Sequence, residues 1–255
     1  MNLEFFSLIG LFFLITAVFP VIFWILFFSY QDRKEPEPKK MVVKVFLWGI
    51  IVAFLAITFK KITAILIFEE TLSFTKKYLF YSLKDLSLNK STVTILFLSA
   101  MGEEILKFFV LFKIIFNKKV FNQIIDGVVY GTTLALGFSF VENSLYFFEF
   151  FQKLDQASFF LLAFLRGIVS VLIHVCATGI IGFYLGKFKF KRKNKLYFLL
   201  IGLLGGILIH GIFNILLQFN SPFNYISYVL LVISFALLLI GLQKKQAKII
   251  HKINR

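Results

Sequence analysis

Two adjacent glutamates, Glu103 and Glu104, are followed one turn later by Lys107, inside a stretch that is otherwise almost wholly apolar. On a helix, Glu103 and Lys107 are i,i+4 and Glu104 and Lys107 are i,i+3, so one ammonium can neutralise either carboxylate on a shared face. Two acids beside one base can divide the work: one stays paired while the other accepts a proton as a general base. The plainer alternative is a structural ion pair that joins helices. An ionised side chain at the centre of a bilayer costs roughly 3 kcal/mol or more, so such residues in apolar segments are functional candidates first.

Three further apolar segments carry residues of this kind. The run Gly137-Phe138-Ser139-Phe140-Val141-Glu142-Asn143 leads to Tyr146, one turn beyond Glu142 and able to share its face. Glu142 also has a bland reading, as an acid near a helix end that reaches water. Upstream, Asp126 fits a solvated acid at a helix N-terminus, favoured by the helix dipole. Arg166, Ser170 and His174 recur every four residues and line one stripe. A neutral imidazole there can simply hydrogen-bond a neighbouring helix, or, beside a glutamate, orient and polarise a water. His210 and Asn214 form another i,i+4 pair, able to donate to a developing oxyanion or to hold an adjacent helix. Two histidines and several glutamates could also make the His/carboxylate set of a catalytic zinc, although no His-Glu-x-x-His signature is present. Residue types alone leave the metal question open.

The elements that must position these groups are membrane helices. The chain is 59% hydrophobic and only 16% charged, against roughly 45–50% apolar residues in soluble domains. Seven apolar segments, near 5–30, 42–68, 92–116, 124–150, 159–186, 196–217 and 223–242, match the ~20 residues a helix needs to cross a bilayer. Such segments are too long for tilted barrel strands. We therefore expect an all-α, polytopic bundle of about seven spans, a single membrane-embedded domain over residues 1–255. The first segment has no basic residue before it and no small-residue cleavage signature after it, which predicts a retained span rather than a signal peptide. Pro36 and Pro38 make the 32–38 connection a stiff, charged turn. Glycines at 179, 182 and 186, and at 205 and 206, predict close helix packing. Cys176 is the only cysteine, so no intrachain disulfide is expected.

The net charge of +15 does not point to nucleic acid, because the basic residues fall in short clusters between helices rather than on one extended face. Arg33, Lys34, Lys39, Lys40 and Lys44, then Lys118 and Lys119, then the 187–195 cluster, and finally the C-terminal lysines all fall on one side of a seven-span path. That side is cytoplasmic, with the N-terminus outside. The loop around Lys76, Lys77, Lys84 and Lys90 is the one discordant signal, partly offset by Glu69, Glu70 and Asp85. A proton-coupled transporter would also bury acids and histidines, but no proline interrupts spans three to six and no inverted repeat is evident.

Several pieces recur in a characteristic order: Asp32-Arg33-Lys34-Glu35-Pro36, Glu-Glu-x-x-Lys at 103–107, Asp126-Gly127 with Gly131, Gly137-Phe138 through Glu142-Asn143, Arg166 with His174, and His-x-x-x-Asn at 210–214. On these the chain resembles the PrsW family of bacterial intramembrane proteases, distant relatives of the CAAX-prenyl endopeptidase superfamily, over nearly its whole length. The resemblance implies cleavage of a single-pass membrane protein, such as an anti-sigma factor, near its extracytoplasmic side. It implies a multi-pass protein of the bacterial cytoplasmic membrane whose partners are that substrate and the lipid bilayer, with no nucleic acid. It makes Glu103 and Glu104 the catalytic acids and His174 their partner. By analogy with the superfamily, a glutamate activates water while His210 and Asn214 stabilise the oxyanion, with Lys107, Glu142, Asn143 and Arg166 in support. The prenyl endopeptidases carry a histidine where this chain has Glu142. No cofactor is required in the first-choice mechanism, and a divalent metal such as zinc is the alternative. A non-catalytic membrane chaperone or immunity protein of the same fold is the rival function.

Overall fold

The computed structural model describes residues 17–31, 35–68, 90–150 and 155–253, together with Phe13 and Lys153. The start of the first apolar segment, residues 32–34 of the charged turn and the loop with Lys76, Lys77 and Lys84 lie outside the described residues. The helices are α1 Phe19–Gln31, α2 Lys39–Phe68, α3 Lys90–Ile115, α4 Ile124–Phe150, α5 Gln156–Leu165, α6 Val171–Phe190, α7 Lys195–Leu216 and α8 Tyr225–Ile253. A π-helical turn, Arg166–Ser170, carries α5 directly into α6. No strand occurs among the described residues.

Among the described residues, five stretches are long and apolar enough to cross a membrane: Lys39–Thr63, Ile124–Phe150, Ala157–Phe190, Lys195–Leu216 and Tyr225–Leu242. With α1 and α3 they account for the seven apolar segments. The 26-residue α3 has the length to span but is broken in hydropathy by its own Glu103, Glu104 and Lys107. These charges are tolerable because they are buried within protein: Glu103 is 2% exposed, and Glu104 and Lys107 are fully covered. Lipid-facing positions carry the large apolar residues instead, such as Phe54, Leu66, Phe164 and Val232. The molecule is thus a multi-pass membrane protein built as a helix bundle.

The central element is α4, whose apolar window is 89% buried, against 28% for α2 and for α8. Glycine sets how closely its neighbours approach. A Cβ on Gly182 of α6 would lie 1.9 Å from the Gly127 carbonyl oxygen of α4, and one on Gly137 would lie 2.1 Å from the Phe46 carbonyl oxygen of α2. Backbones therefore touch on both sides of α4, the close contact that small residues permit between membrane helices. Of the glycine pair on α7, Gly206 meets Ile181 at 2.7 Å whereas Gly205 has only Ile180 at 3.8 Å, so one of the two is a packing residue.

The connections are held by side chains. Asp126 is not the solvated acid expected: it is 2% exposed and accepts from the backbone N–H groups of Asn122 at 2.8 Å and Gln123 at 2.6 Å, tying down the turn into α4. Buried backbone donors need partners, and a carboxylate folded back on its own turn supplies them. On the proline-rich connection, Glu37 accepts from the hydroxyl of the fully buried Tyr130, pinning the start of α2 to α4. Lys189 caps the Phe121 carbonyl at 2.7 Å, anchoring the α3–α4 loop to the end of α6.

Candidate active site

Five elements send polar side chains to one buried locus: α2, α3, α4, α6 with the π turn before it, and α7. On α3, both oxygens of Glu104 are occupied. Its Oε1 accepts from Lys107 Nζ at 2.8 Å and His210 Nδ1 at 2.9 Å, and its Oε2 accepts from Thr178 Oγ1 at 2.9 Å. Lys107 also lies 2.9 Å from His174 Nδ1 and 4.0 Å above the Phe138 ring.

These contacts fix the histidine tautomers. An ammonium only donates, so His174 Nδ1 accepts from Lys107 and the ring proton sits on Nε2, which donates to Glu142 Oε2 at 2.9 Å. A carboxylate only accepts, so His210 donates from Nδ1 to Glu104 and keeps its Nε2 lone pair free. The two rings lie edge to face, with centroids 4.7 Å apart.

Glu103 is bound differently. Its Oε1 lies 2.5 Å from Lys60 Nζ. Its Oε2 is buried and has no hydrogen-bond partner. That oxygen is 3.8 Å from His174 Nδ1, 3.9 Å from Lys107 Nζ and 4.0 Å from His210 Nε2. A buried carboxylate oxygen left without a partner is unusual in a folded protein and marks a place prepared for something else.

Glu142 closes the network. Besides His174 it meets Arg166 Nη2 at 3.2 Å and Lys60 Nζ at 3.5 Å. Arg166 also donates to Asn143 Oδ1 and Ser170 Oγ, and its guanidinium stacks 3.4 Å above the Tyr146 ring. The acid is therefore engaged by an imidazole and two cations, with 19% of its side chain still exposed, rather than ending simply in water. The π turn matters here: the even four-residue spacing of Arg166, Ser170 and His174 falls on a widened turn, the kind of local irregularity that often accompanies functional sites.

Among the residues singled out from the sequence, Glu103, Glu104, Lys107, Glu142, Asn143, Arg166, His174 and His210 share this network. Asn214 does not. It is half-buried one turn beyond His210 and makes no side-chain hydrogen bond to the cluster. Two members were missed. Lys60 lies within a segment that looked uniformly apolar, where a Lys60-Lys61 pair was the available signal. Thr178 carried none, since a threonine in a membrane helix is unremarkable until a carboxylate faces it.

Glu103, Glu104, His174 and His210 each offer a ligand atom, all within 4.8 Å of one another. Imidazole and carboxylate together suit a divalent ion such as zinc. The partnerless Glu103 Oε2 and the free Nε2 of His210 are the two whose lone pairs are uncommitted, so the residues present fit such an ion.

A family model described as the PrsW family intramembrane metalloprotease matches residues 37–240. Curated proteins named Protease PrsW are similar over most of their length. That of Geobacillus kaustophilus (strain HTA426) is 29% identical over 217 residues, 84% of each chain. That of Clostridioides difficile (strain 630) is 29% identical over 222 residues, covering 86% of this chain and 84% of its own. That of Bacillus subtilis (strain 168) is 29% identical over 217 residues, covering 84% and 86%. No solved structure matches the chain. The chain belongs to the PrsW family of intramembrane metalloproteases, a family of proteases.

Proposed function

We propose that this chain is an intramembrane endopeptidase of the bacterial cytoplasmic membrane, a single domain over residues 1–255. Its substrate is a single-pass membrane protein of the anti-sigma-factor kind, cut near its extracytoplasmic side. The observation that carries the reading is Glu103 Oε2, a buried carboxylate oxygen without a partner that faces two imidazoles. Glu103 Oε2 and His210 Nε2 are both acceptors and lie 4.0 Å apart. One water oxygen about 2.8 Å from each can give a hydrogen to both. Its lone pairs then face away from the two acceptors and toward a carbonyl carbon, with Glu103 as the general base.

The other residues hold this arrangement. Glu104, bound by Lys107, Thr178 and His210, fixes the His210 tautomer and ring plane. Glu142 does the same for His174. Lys107 keeps two adjacent carboxylates compatible with burial, since an unpaired charge there would be strongly unfavourable. Glu103 and His210 would hold a divalent ion, with Glu104 and His174 beside them as the remaining carboxylate and imidazole donors. When bound, that ion supplies Lewis acidity and makes its water a better nucleophile at neutral pH.

A non-catalytic helper of the same fold also accommodates three carboxylates matched by Lys60, Lys107 and Arg166, but it leaves Glu103 Oε2 unexplained. The test compares membrane proteomes with and without the protein and looks for a truncated single-pass protein. Glu103→Gln and Glu104→Gln should each abolish that truncation while the protein still accumulates. Unchanged cleavage in both variants would remove the proposed chemistry. Metal analysis of the purified chain separates the two versions of the mechanism. A stoichiometric ion, with cleavage lost on chelation and restored by zinc, supports the metal-bound form, and cleavage that survives exhaustive chelation supports the glutamate and histidine acting alone.

A further inference from the structure

We propose that Lys60, on α2, is a catalytic residue: its ammonium donates to the carbonyl oxygen of the peptide bond being cleaved and to the negative charge that develops there. The inference rests on the peptidase reading above and supplies what that reading lacks, a donor for the oxyanion. The pair first expected in that role, His210 and Asn214, is badly placed for it. His210 uses its proton on Glu104 and presents a lone pair at Nε2, and Asn214 makes no hydrogen bond to the cluster.

The three cations of the network differ in what they can still reach. Lys107 is fully buried beneath Glu104, His174 and the face of Phe138. Arg166 is held through Nε and Nη2 by Asn143, Glu142 and Ser170, lies over the ring of Tyr146, and faces a different cleft, beside Phe159 and Leu162. Lys60 keeps 22% of its side chain exposed. It lines a shallow, open cleft between α2 and α4, whose walls include Ala53, Ala56, Phe138, Glu142 and Tyr146. Among the described residues, Lys60 is the only cation on that lining.

An ammonium has three N–H donors. One is used on Glu103 Oε1 at 2.5 Å and a second reaches the more distant Glu142 Oε1 at 3.5 Å. The third is available to an oxygen entering the cleft. Lys60 therefore grips one oxygen of the carboxylate whose other oxygen faces His210. Water addition needs a base for the nucleophile and a donor for the carbonyl oxygen, side by side, and this pair offers both. In the step, the water oxygen bonds to the carbonyl carbon and one water proton passes to Glu103. The carbonyl π pair moves to the oxygen held by Lys60, and the C–N bond then breaks as the departing nitrogen takes up the proton. Lys60 remains an ammonium throughout.

The cleft also bears on what is cleaved. The small side chains of Ala53 and Ala56 let a backbone approach α2 closely, while Ile57, Phe138 and Leu145 suit apolar neighbours. An unwound stretch of an apolar membrane segment matches both properties.

The experiment uses full-length protein in detergent and the membrane protein that the proteome comparison finds truncated. Lys60→Met should lower kcat by about 10²–10³-fold, the loss typical of a deleted oxyanion donor, with KM changed by less than about threefold. Because that variant also strips a partner from Glu103, a second variant restores the charge chemically. Lys60→Cys is made with the only native cysteine, Cys176, replaced by alanine, and is alkylated with 2-bromoethylamine to rebuild an ammonium, or with iodoacetamide as a neutral control. The amine adduct should regain at least tenfold over the neutral one. A Lys60→Met kcat equal to wild type, or equal activity in the two adducts, would overturn the assignment. A wild-type protein that cleaves nothing removes the peptidase reading itself, and this assignment with it.

Discussion

Asn214 and His210 sit one turn apart on α7, yet the structure gives them unequal standing. His210 bridges Glu104 and the space beside Glu103 Oε2, whereas Asn214 makes no side-chain hydrogen bond to any member of the network. Asn214→Ala should therefore keep cleavage within about threefold of wild type, while His210→Ala should lose at least about 100-fold, a loss of the size expected for a group that handles the proton. Initial rates on the truncated membrane protein measure both, and equal losses would return Asn214 to the site. Spacing alone could not separate the two, because i,i+4 places residues on one face but does not say how far along that face the site extends. The same limit hid Lys60 and Thr178. Charges that interrupt an apolar run at a glutamate pair are conspicuous, but Lys60 lies near the end of a long segment, where lysines ordinarily extend to the membrane surface. Its pairing with Glu103, from a different helix, becomes visible only once α2 and α3 are packed.

At the scale of elements, glycine decides which helices can touch. Gly182 of α6 has no room: an added Cβ would lie 1.9 Å from the Gly127 carbonyl, a backbone atom that cannot move without shifting α4. Gly205 of α7 has space, its nearest neighbour being Ile180 at 3.8 Å. Gly182→Ala should destabilise the bundle by about 1–3 kcal/mol, as overpacking does, and Gly205→Ala should be neutral or slightly stabilising, since alanine is the better helix former. Thermal unfolding in detergent distinguishes them, and equal melting temperatures would mean that the α4–α6 contact is looser than described. Because α4 and α6 carry Glu142 and His174, Gly182→Ala should also weaken cleavage. Helix identities were legible from apolar run length, and so was the presence of tight glycine contacts. Which member of the 205–206 pair packs was not, nor was the π turn, since hydrophobic periodicity carries no mark of one extra residue in a turn. Asp126 misled for a related reason. An acid at a helix start is usually solvated, and only the fold of the preceding loop reveals the two N–H groups it satisfies.

For the molecule as a whole, the bundle draws its charged residues into two populations with opposite tasks. Glu103, Glu104, Glu142, Lys60, Lys107 and Arg166 pair with one another in the interior, so they leave no net field to orient the chain in a membrane. The unpaired lysines and arginines do that instead. Lys191, Arg192 and Lys193 form an exposed turn between α6 and α7, beside Lys118 and Lys119 on the neighbouring loop, while the turn between α7 and α8 holds Asn220, Ser221 and Pro222 and no basic residue. Short basic loops are retained in the cytoplasm. The α6–α7 turn should accordingly lie inside and the α7–α8 turn outside, which leaves the C-terminus inside and, for seven spans, the N-terminus outside. With Cys176 replaced by alanine, Asn220→Cys should react with a membrane-impermeant maleimide in intact cells, and Lys193→Cys should react only after permeabilisation. The reverse pattern would invert the molecule. It would also move the cleft at Lys60 to the cytoplasmic side of the bilayer, because α2 starts at a basic turn and α6 ends at one, so the two helices cross in opposite senses. Lys60 lies toward the end of α2 remote from Lys39 and Lys40, on the side away from the basic loops, while His174 lies near the middle of the Ala157–Phe190 span. A cut near the extracytoplasmic face therefore requires the orientation that the maleimide experiment tests.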